Sequence, residues 1–253
     1  MQTQPLAGKV ALVTGAGRNI GRAIALALAD GGAAVAVNVR ASRDEGSAVV
    51  NDIAARGGDA LLVMADVTRR TEVDAMVDAV GQRFGRLDIL VNNAAVRHEE
   101  IFADMTYATW RAAFDVCVDG AFHCTQAALP LMKKGGAGTV INVGGMSAHS
   151  GAARRAHVVA AKAALAGLTR ALAHDLAEFG ITVNCIAPGM MDTVRNSASA
   201  SADPAHRASH PTLLGRRGHP DEIAGAVVWL AGAGGRFTTG QTLHINGGAY
   251  LGA

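Results

Sequence analysis

Seven short aliphatic runs recur along this 253-residue chain, separated by longer stretches with helical spacing. The runs are "VALVT" at 10–14, "AVAVNV" at 34–39, "ALLVM" at 60–64, "DILVN" at 88–92, "TVINV" at 139–143, "TVNCIA" at 182–187 and "TLHIN" at 242–246. Their residues are mostly apolar and, apart from "TLHIN", show no regular alternation of apolar and polar. That pattern belongs to strands covered on both faces, as in a parallel sheet. The helical stretches lie near 19–31, 43–56, 69–84, 106–134, 152–179 and 220–232. Strands and helices in this alternation fold as a doubly wound α/β sheet, with ligands at the carboxyl ends of the strands. No linker, repeat or shift of composition divides the chain, so a single domain over 1–253 is expected. One segment departs from the rhythm. Residues 196–220, "NSASASADPAHRASHPTLLGRRGHP", are too long for a simple connection, and a substrate-covering flap is expected there.

Composition excludes several classes. Half the residues are apolar and 17% are charged, which supplies a substantial buried core. No uncharged apolar run reaches the roughly 18 residues of a membrane span. The opening "MQTQPLAGKVALVTG" lacks the basic-then-apolar order of a signal peptide. The net charge of +2 forms no basic stripe, Arg216 and Arg217 being the nearest thing to one, so neither nucleic acid nor membrane is an expected partner. Cys117, Cys124 and Cys185 are odd in number and show no C-x-x-C spacing; they read as small core hydrophobes in a reducing, cytoplasmic compartment. His206 and His210 have helical ligand spacing but only Asp203 nearby, so no metal site is expected.

Directly after the first run stands "TGAGRNIGRAIALALA", from Thr14 to Ala29. Glycines at a strand-to-helix turn let the backbone approach a pyrophosphate, and the helix N-terminus supplies amide donors and a positive dipole end. The second run ends "NVRAS". Where a NAD site has an acid for the ribose hydroxyls, this chain has Val39 and then Arg40, and Arg18 lies in the glycine turn itself. Two guanidiniums in place of a carboxylate favour the 2′-phosphate of NADP(H) over NAD(H).

Only four of the 23 basic residues are lysines: Lys9, Lys133, Lys134 and Lys162. Lys162 sits in "GAARRAHVVAAKAALAGLTRAL", 151–172, which reads as one long apolar helix. Lysine is a compact charge whose pKa shifts readily, a property that arginine does not share.

The motifs "TGAGRNIG", "ADV" at 65–67, "NNAA" at 92–95, "APGMMDT" at 187–193 and "TGQTLHINGGA" at 239–249 stand in a telling order and spacing. In these the chain resembles the short-chain dehydrogenase/reductase family, most of all its 3-oxoacyl-carrier-protein-reductase-like group. The resemblance implies a single Rossmann-type domain with a seven-stranded parallel sheet flanked by helices. It also implies a nicotinamide cofactor, a small-molecule carbonyl or alcohol substrate, and a homotetramer built through 106–134, 152–179 and the C-terminal "INGGAYLGA". By position, it assigns the cofactor contacts to Gly15, Arg18, Asn19 and Ile20 in the turn and to Arg40 beyond the second strand. Asp66 and Val67 would meet adenine, Asn93 and Ala94 the adenosine ribose, and Lys162 the nicotinamide ribose. Pro188, Gly189, Met191 and Thr193 complete the set, the last two at the carboxamide. Asn19 replaces a family glycine, a change that asparagine tolerates because it reaches left-handed backbone angles. Ala95 replaces the last glycine of the family's N-N-A-G.

The same resemblance exposes a failure at the reaction end. The family tyrosine, four residues before the lysine, falls on Val158; the family serine falls on Gly145 and the asparagine on Cys117. Ser147 and His149, on the loop "GGMSAHSG", are the candidate replacements, and with Lys162 they form the expected catalytic set. His157 is turned about 100° from position 158 and reads as a helix-face histidine at the surface or an oligomer contact. Three functions stay open: an NADP(H)-dependent oxidoreductase with a rearranged acid, which is the favoured reading; a nucleotide-binding protein without turnover, acting as partner subunit or sensor; and non-redox dehydration or epimerisation with Lys162 as base. The stretch "AAVRHEEIF" and the flap would shape the substrate pocket, with Arg97 and His98 as anion contacts.

Overall fold

A computed structural model describes residues 4–193 and 211–252. Seven strands form one parallel sheet: β1 (Val10–Val13), β2 (Ala34–Val39), β3 (Ala60–Met64), β4 (Ile89–Asn92), β5 (Gly138–Val143), β6 (Ile181–Pro188) and β7 (Thr242–Ile245). Their order across the sheet is β3-β2-β1-β4-β5-β6-β7. The chain winds outward one way from β1 to β3, then returns to β4 and winds the other way. The connections that leave the carboxyl ends of the paired strands β1 and β4 therefore run in opposite directions, and such sheets take their ligands at this switch point.

The sequence runs owe their largely apolar character to this sheet. Leu12 lies in register between Ala36 and Leu90, and all three are fully buried. Alternate residues of a strand face opposite sides. Ala11 and Val13 join a core under α1 (Asn19–Asp30) and α8 (Pro220–Ala231), whereas Val10 and Leu12 join one under α3 (Arg70–Phe84) and α5 (Gly120–Lys134). The remaining helices are α2 (Arg43–Ala55), α4 (Tyr107–Phe114), the short turn α6 (Ser147–Ser150) and α7 (Ala156–Leu176).

Two helices differ from the expectation. The stretch 106–134 is not one regular helix, because a π-helical segment, Asp115–Asp119, separates α4 from α5. Arg111 spans that widened turn, donating to Asp115 at 2.6 Å and to Asp119 at 2.9 Å. The second helix begins at Ala156 and not at 151 or 152, since Gly151 (φ 74°) and Arg154 (φ 60°) hold left-handed angles that no α-helix accepts. It ends at Leu176, followed by a 3₁₀ turn and Gly180 at φ 66°.

Of the expected flap, 196–210 lies outside the described residues, as do His206 and His210. Its later part returns across the sheet: the Leu214 amide donates to Gly247 O, and Gly218 exchanges backbone hydrogen bonds with Met190 and Asp192. No described helix is long and apolar enough to cross a membrane.

Candidate active site

A cavity of 340 Å³ lies over the carboxyl ends of β1 to β4. Ile20, Asn93, Ala95, Val96 and Arg97 line it and also line a second cavity of 130 Å³ over β4, β5 and β6, so the two form one crevice along the switch point. Gly15, Arg18, Asn19, Ile20, Arg40, Asp66, Val67, Asn93 and Ala94 face the first cavity. Lys162, Pro188, Gly189, Met191 and Thr193 face the second. Every position assigned to the cofactor from sequence thus reaches the crevice.

The glycine turn is built for close approach. A Cβ on Gly21 would stand 2.3 Å from Gly15 O and 2.6 Å from Asn93 Nδ2, so the first turn of α1 seats on the loop only because this residue has no side chain. Asn19 adopts φ 51°, the left-handed angle anticipated for the residue replacing a family glycine. A web of hydrogen bonds fixes the turn against its neighbours. Asn93 Nδ2 donates to Thr14 O (2.9 Å) and Gly15 O (3.0 Å), while Thr14 Oγ1 accepts from the Asn93 and Ala94 amides. Asn38 Oδ1 accepts from Gly15 N, and its Nδ2 donates to the Val63 and Ala65 carbonyls. The side-chain nitrogen of Asn93, expected at the adenosine ribose, is therefore engaged in holding the turn. Sequence reading missed Asn38 and Thr14. Their one signal was a polar residue near the carboxyl end of an otherwise aliphatic strand.

The adenosine end carries both signs of charge. Arg18 and Arg40 are exposed and line the cavity, as does Glu45 from the first turn of α2. Burial opposes the ionisation of Asp66, but bonds from the Thr68 amide and hydroxyl, with Arg40 and Arg69 nearby, hold its carboxyl below the usual range. No acid ends β2. Guanidinium donors around an open cradle suit a phosphorylated ribose.

At the other end, Lys162 is buried and its Nζ donates to Val143 O at 2.5 Å. It shares the smaller cavity with Val158, Gly145 and Ser147. A Cβ on Gly145 would meet one atom within 4 Å, the Ser147 hydroxyl, at 4.0 Å. The Ser147 hydroxyl thus lies 4.0 Å from the point where a side chain at 145 would begin. Cys117 is buried against Ala113 and Ala161 and lies outside the lining.

His149 does not join this group. Its ring packs on His244 (4.6 Å between centroids) and Tyr250 (5.8 Å). The reason is rotational: two residues along a helical turn is about 200°, so α6 turns His149 away when Ser147 faces the cavity. Burial, and then the charge of Arg170, lower its pKa. His157 is 1% exposed and not a surface residue; it meets the His98 ring edge-on at 6.3 Å. Burial chiefly, then the charge of His98, lower its pKa. His98 in turn lies 3.8 Å from Glu100, so of the two expected anion contacts Arg97 alone lines the crevice.

A buried polar chain underlies the site and escaped sequence reading. Asn92 Nδ2 donates to Asn142 Oδ1, Asn142 Nδ2 to Thr169 Oγ1, and Thr169 to Leu165 O, tying β4, β5 and α7 together two turns from Lys162.

Comparison with known proteins agrees with this geometry. The family model described as enoyl-(acyl carrier protein) reductase matches residues 15–250. The chain is 40% identical over 244 residues to the 3-oxoacyl-(acyl-carrier-protein) reductase FabG of Staphylococcus aureus, covering 96% of this chain and 98% of that one. A short-chain dehydrogenase from Burkholderia cenocepacia, solved in complex with NADP, superposes with a TM-score of 0.89 at 38% identity, over 97% of this chain and 99% of that one. A 7α-hydroxysteroid dehydrogenase complexed with NADH and 7-oxo glycochenodeoxycholic acid gives 0.90 at 34% identity, over 97% and 96%. With its strand order, its glycine turn and these likenesses across nearly the whole length, the chain belongs to the short-chain dehydrogenase/reductase family.

Proposed function

We propose that this chain is an NADP(H)-dependent oxidoreductase that interconverts a carbonyl and a hydroxyl, with Ser147 in place of the family's serine and no phenolic acid. The observation that carries this reading is the continuous crevice, which brings all the cofactor positions and Lys162 into one groove. One relative is solved with NADP and another with NADH, so the choice between them rests on this chain's own residues. Arg18 and Arg40 would hold the 2′-phosphate as charge-assisted donors, and the glycine turn would admit the pyrophosphate.

The bound cofactor supplies the hydride. The protein's share is to orient the carbonyl and to meet the charge that develops on its oxygen. Ser147 presents its hydroxyl beside position 145, and Lys162 would hold the nicotinamide ribose. Neither tyrosine lines the cavity: Tyr107 is 76% exposed and Tyr250 packs on the histidine pair. With no phenol at the described cavity wall, proton delivery on this reading falls to the Ser147 hydroxyl and water. Losing a general acid lowers a rate by about 10²–10⁴, so activated carbonyls are the suitable substrates. The buried apolar side chains of Val158 and Cys117 themselves favour one second reading, a nucleotide-binding member of the family without turnover.

Titration with NADPH and NADH, followed by a panel of reactive carbonyls, separates the two. NADPH is expected to bind more tightly, and Arg40→Asp to narrow or invert the preference. Ser147→Ala is expected to lower reduction by about 10²-fold while leaving the NADPH dissociation constant unchanged. Tight NADPH binding with no turnover of any carbonyl would establish the silent reading.

We further propose one domain over 1–253, a substrate flap over 196–220, a homotetramer and a cytoplasmic location. The single seven-stranded sheet supports the first. The return of residues 211–219 to Met190 and Asp192, beside the smaller cavity, supports the flap. Exposed Phe122, Trp229, Phe237 and Leu251 support assembly, and three free buried cysteines suit a reducing compartment.

A further inference from the structure

The arginines at the adenosine end share their cavity with a carboxylate. Glu45 Oε1 lies 3.8 Å from Arg18 Nη1. Its side chain leans over the glycine turn: a Cβ on Gly17 would stand 3.2 Å from Glu45 Cβ and 3.4 Å from its Oε2. The other acid of this cavity, Asp66, accepts from Thr68 on its own loop. Glu45 thus places its charge beside the guanidinium that would receive a 2′-phosphate.

Two physical consequences oppose each other. The Arg18–Glu45 separation is beyond hydrogen-bond length and both side chains are substantially exposed, 51% and 39%, so the pair is weak and easily parted. A phosphate dianion arriving at Arg18 and Arg40 nevertheless meets a like charge at close quarters, whereas the unphosphorylated ribose of NAD(H) offers a hydroxyl that a carboxylate accepts readily. The arginines favour NADP(H), and the glutamate favours NAD(H).

We propose that Glu45 is a specificity-determining residue that limits the preference for NADP(H) below what Arg18 and Arg40 alone would produce. This rests on the cofactor reading given above. Adenosine 2′,5′-bisphosphate and adenosine 5′-monophosphate probe this end of the crevice without the nicotinamide, and calorimetry on the full chain at one fixed ionic strength measures both. Glu45→Gln is expected to tighten the bisphosphate about three- to tenfold, the scale of charge couplings near a protein surface. The monophosphate should stay within twofold, and the ratio of NADPH to NADH dissociation constants should move with the bisphosphate. A variant whose two constants change by the same factor, or not at all, overturns the role of Glu45. A wild type that binds the bisphosphate no more tightly than the monophosphate overturns the cofactor reading itself.

Discussion

Replacing Val158 by tyrosine and Gly145 by serine supplies the two polar groups that the family resemblance leads one to expect there, and the surroundings say what each should do. Val158 is 4% exposed and stands one helical turn before Lys162, and both line the 130 Å³ cavity. A phenol grown from 158 enters that cavity on the face of α7 that carries the ammonium. At 145 a new side chain meets only the Ser147 hydroxyl, at 4.0 Å, and the backbone there is not left-handed, so serine fits without strain. The stability change comes mainly from the ring: overpacking costs about 1–3 kcal/mol, which in a domain of this size lowers the melting midpoint by roughly 2–12 °C. The gain in rate is larger. A general acid contributes about 10²–10⁴ and an oxyanion donor about 10²–10³, and groups that act as a unit do not add. Imperfect alignment should still recover about tenfold. The assay is NADPH oxidation with a panel of reactive ketones, run on the parent, the double variant and Ser147→Ala. A double variant that folds, binds NADPH and gains nothing would refute the idea that the crevice is a reductase frame. A parent that is already active and indifferent to all these changes would show that the reaction occurs elsewhere.

Acidification should destabilise the fold: burial lowers the pKa of His157, His149 and His244, so below about 6.5 the unfolded chain binds more protons than the folded one, and stability falls as pH drops toward the lowered native values. His157→Phe should flatten part of the difference between melting midpoints at pH 7.5 and 5.5; an unchanged difference would show that His157 does not titrate with unfolding. Sedimentation at micromolar concentration should give a tetramer, and Trp229→Glu or Phe122→Glu, at exposed apolar positions on α8 and α5, should shift it toward smaller species. A monomeric mass for the parent would remove that expectation.

The strands were legible to within one or two residues because burial on both faces leaves a contiguous aliphatic run. The cofactor end was legible for a related reason: a glycine whose Cβ would strike a neighbouring carbonyl at 2.3 Å, as at Gly21, has no substitute. What escaped depends on partners remote in sequence. Asn93 latches onto Thr14 and Gly15 across 78 or more positions, and Asn38 reaches Gly15 across 23. The start of α7 escaped because "AARR" has good helix propensity, while tertiary contacts place Arg154 at φ 60° and take up its carbonyl with the Glu100 amide at 2.9 Å. The choice between Ser147 and His149 turned on the rotational phase of a four-residue helical turn, which no local pattern sets.

Lys162 and the apolar or small residues around it, Val158, Gly145 and Cys117, differ in what they hold up. Lys162 is buried and donates to Val143 O at the end of β5, next to Gly144, where a Cβ would stand 2.8 Å from Cys185 Sγ. Removing its side chain would take a donor from a closely packed floor, at a cost of about 1–3 kcal/mol if the carbonyl is left unsatisfied. A lysine in this place therefore serves the fold whether or not the protein turns over. The positions of Val158, Gly145 and Cys117 carry no such duty: the first two border the cavity, and Cys117 fills apolar space. Retention of Lys162 consequently cannot distinguish a working reductase from a silent relative. Ser147 can. It is half-buried at the cavity wall, and the described hydrogen bonds assign its hydroxyl no structural partner. A loss of turnover without loss of stability on Ser147→Ala would therefore report chemistry alone.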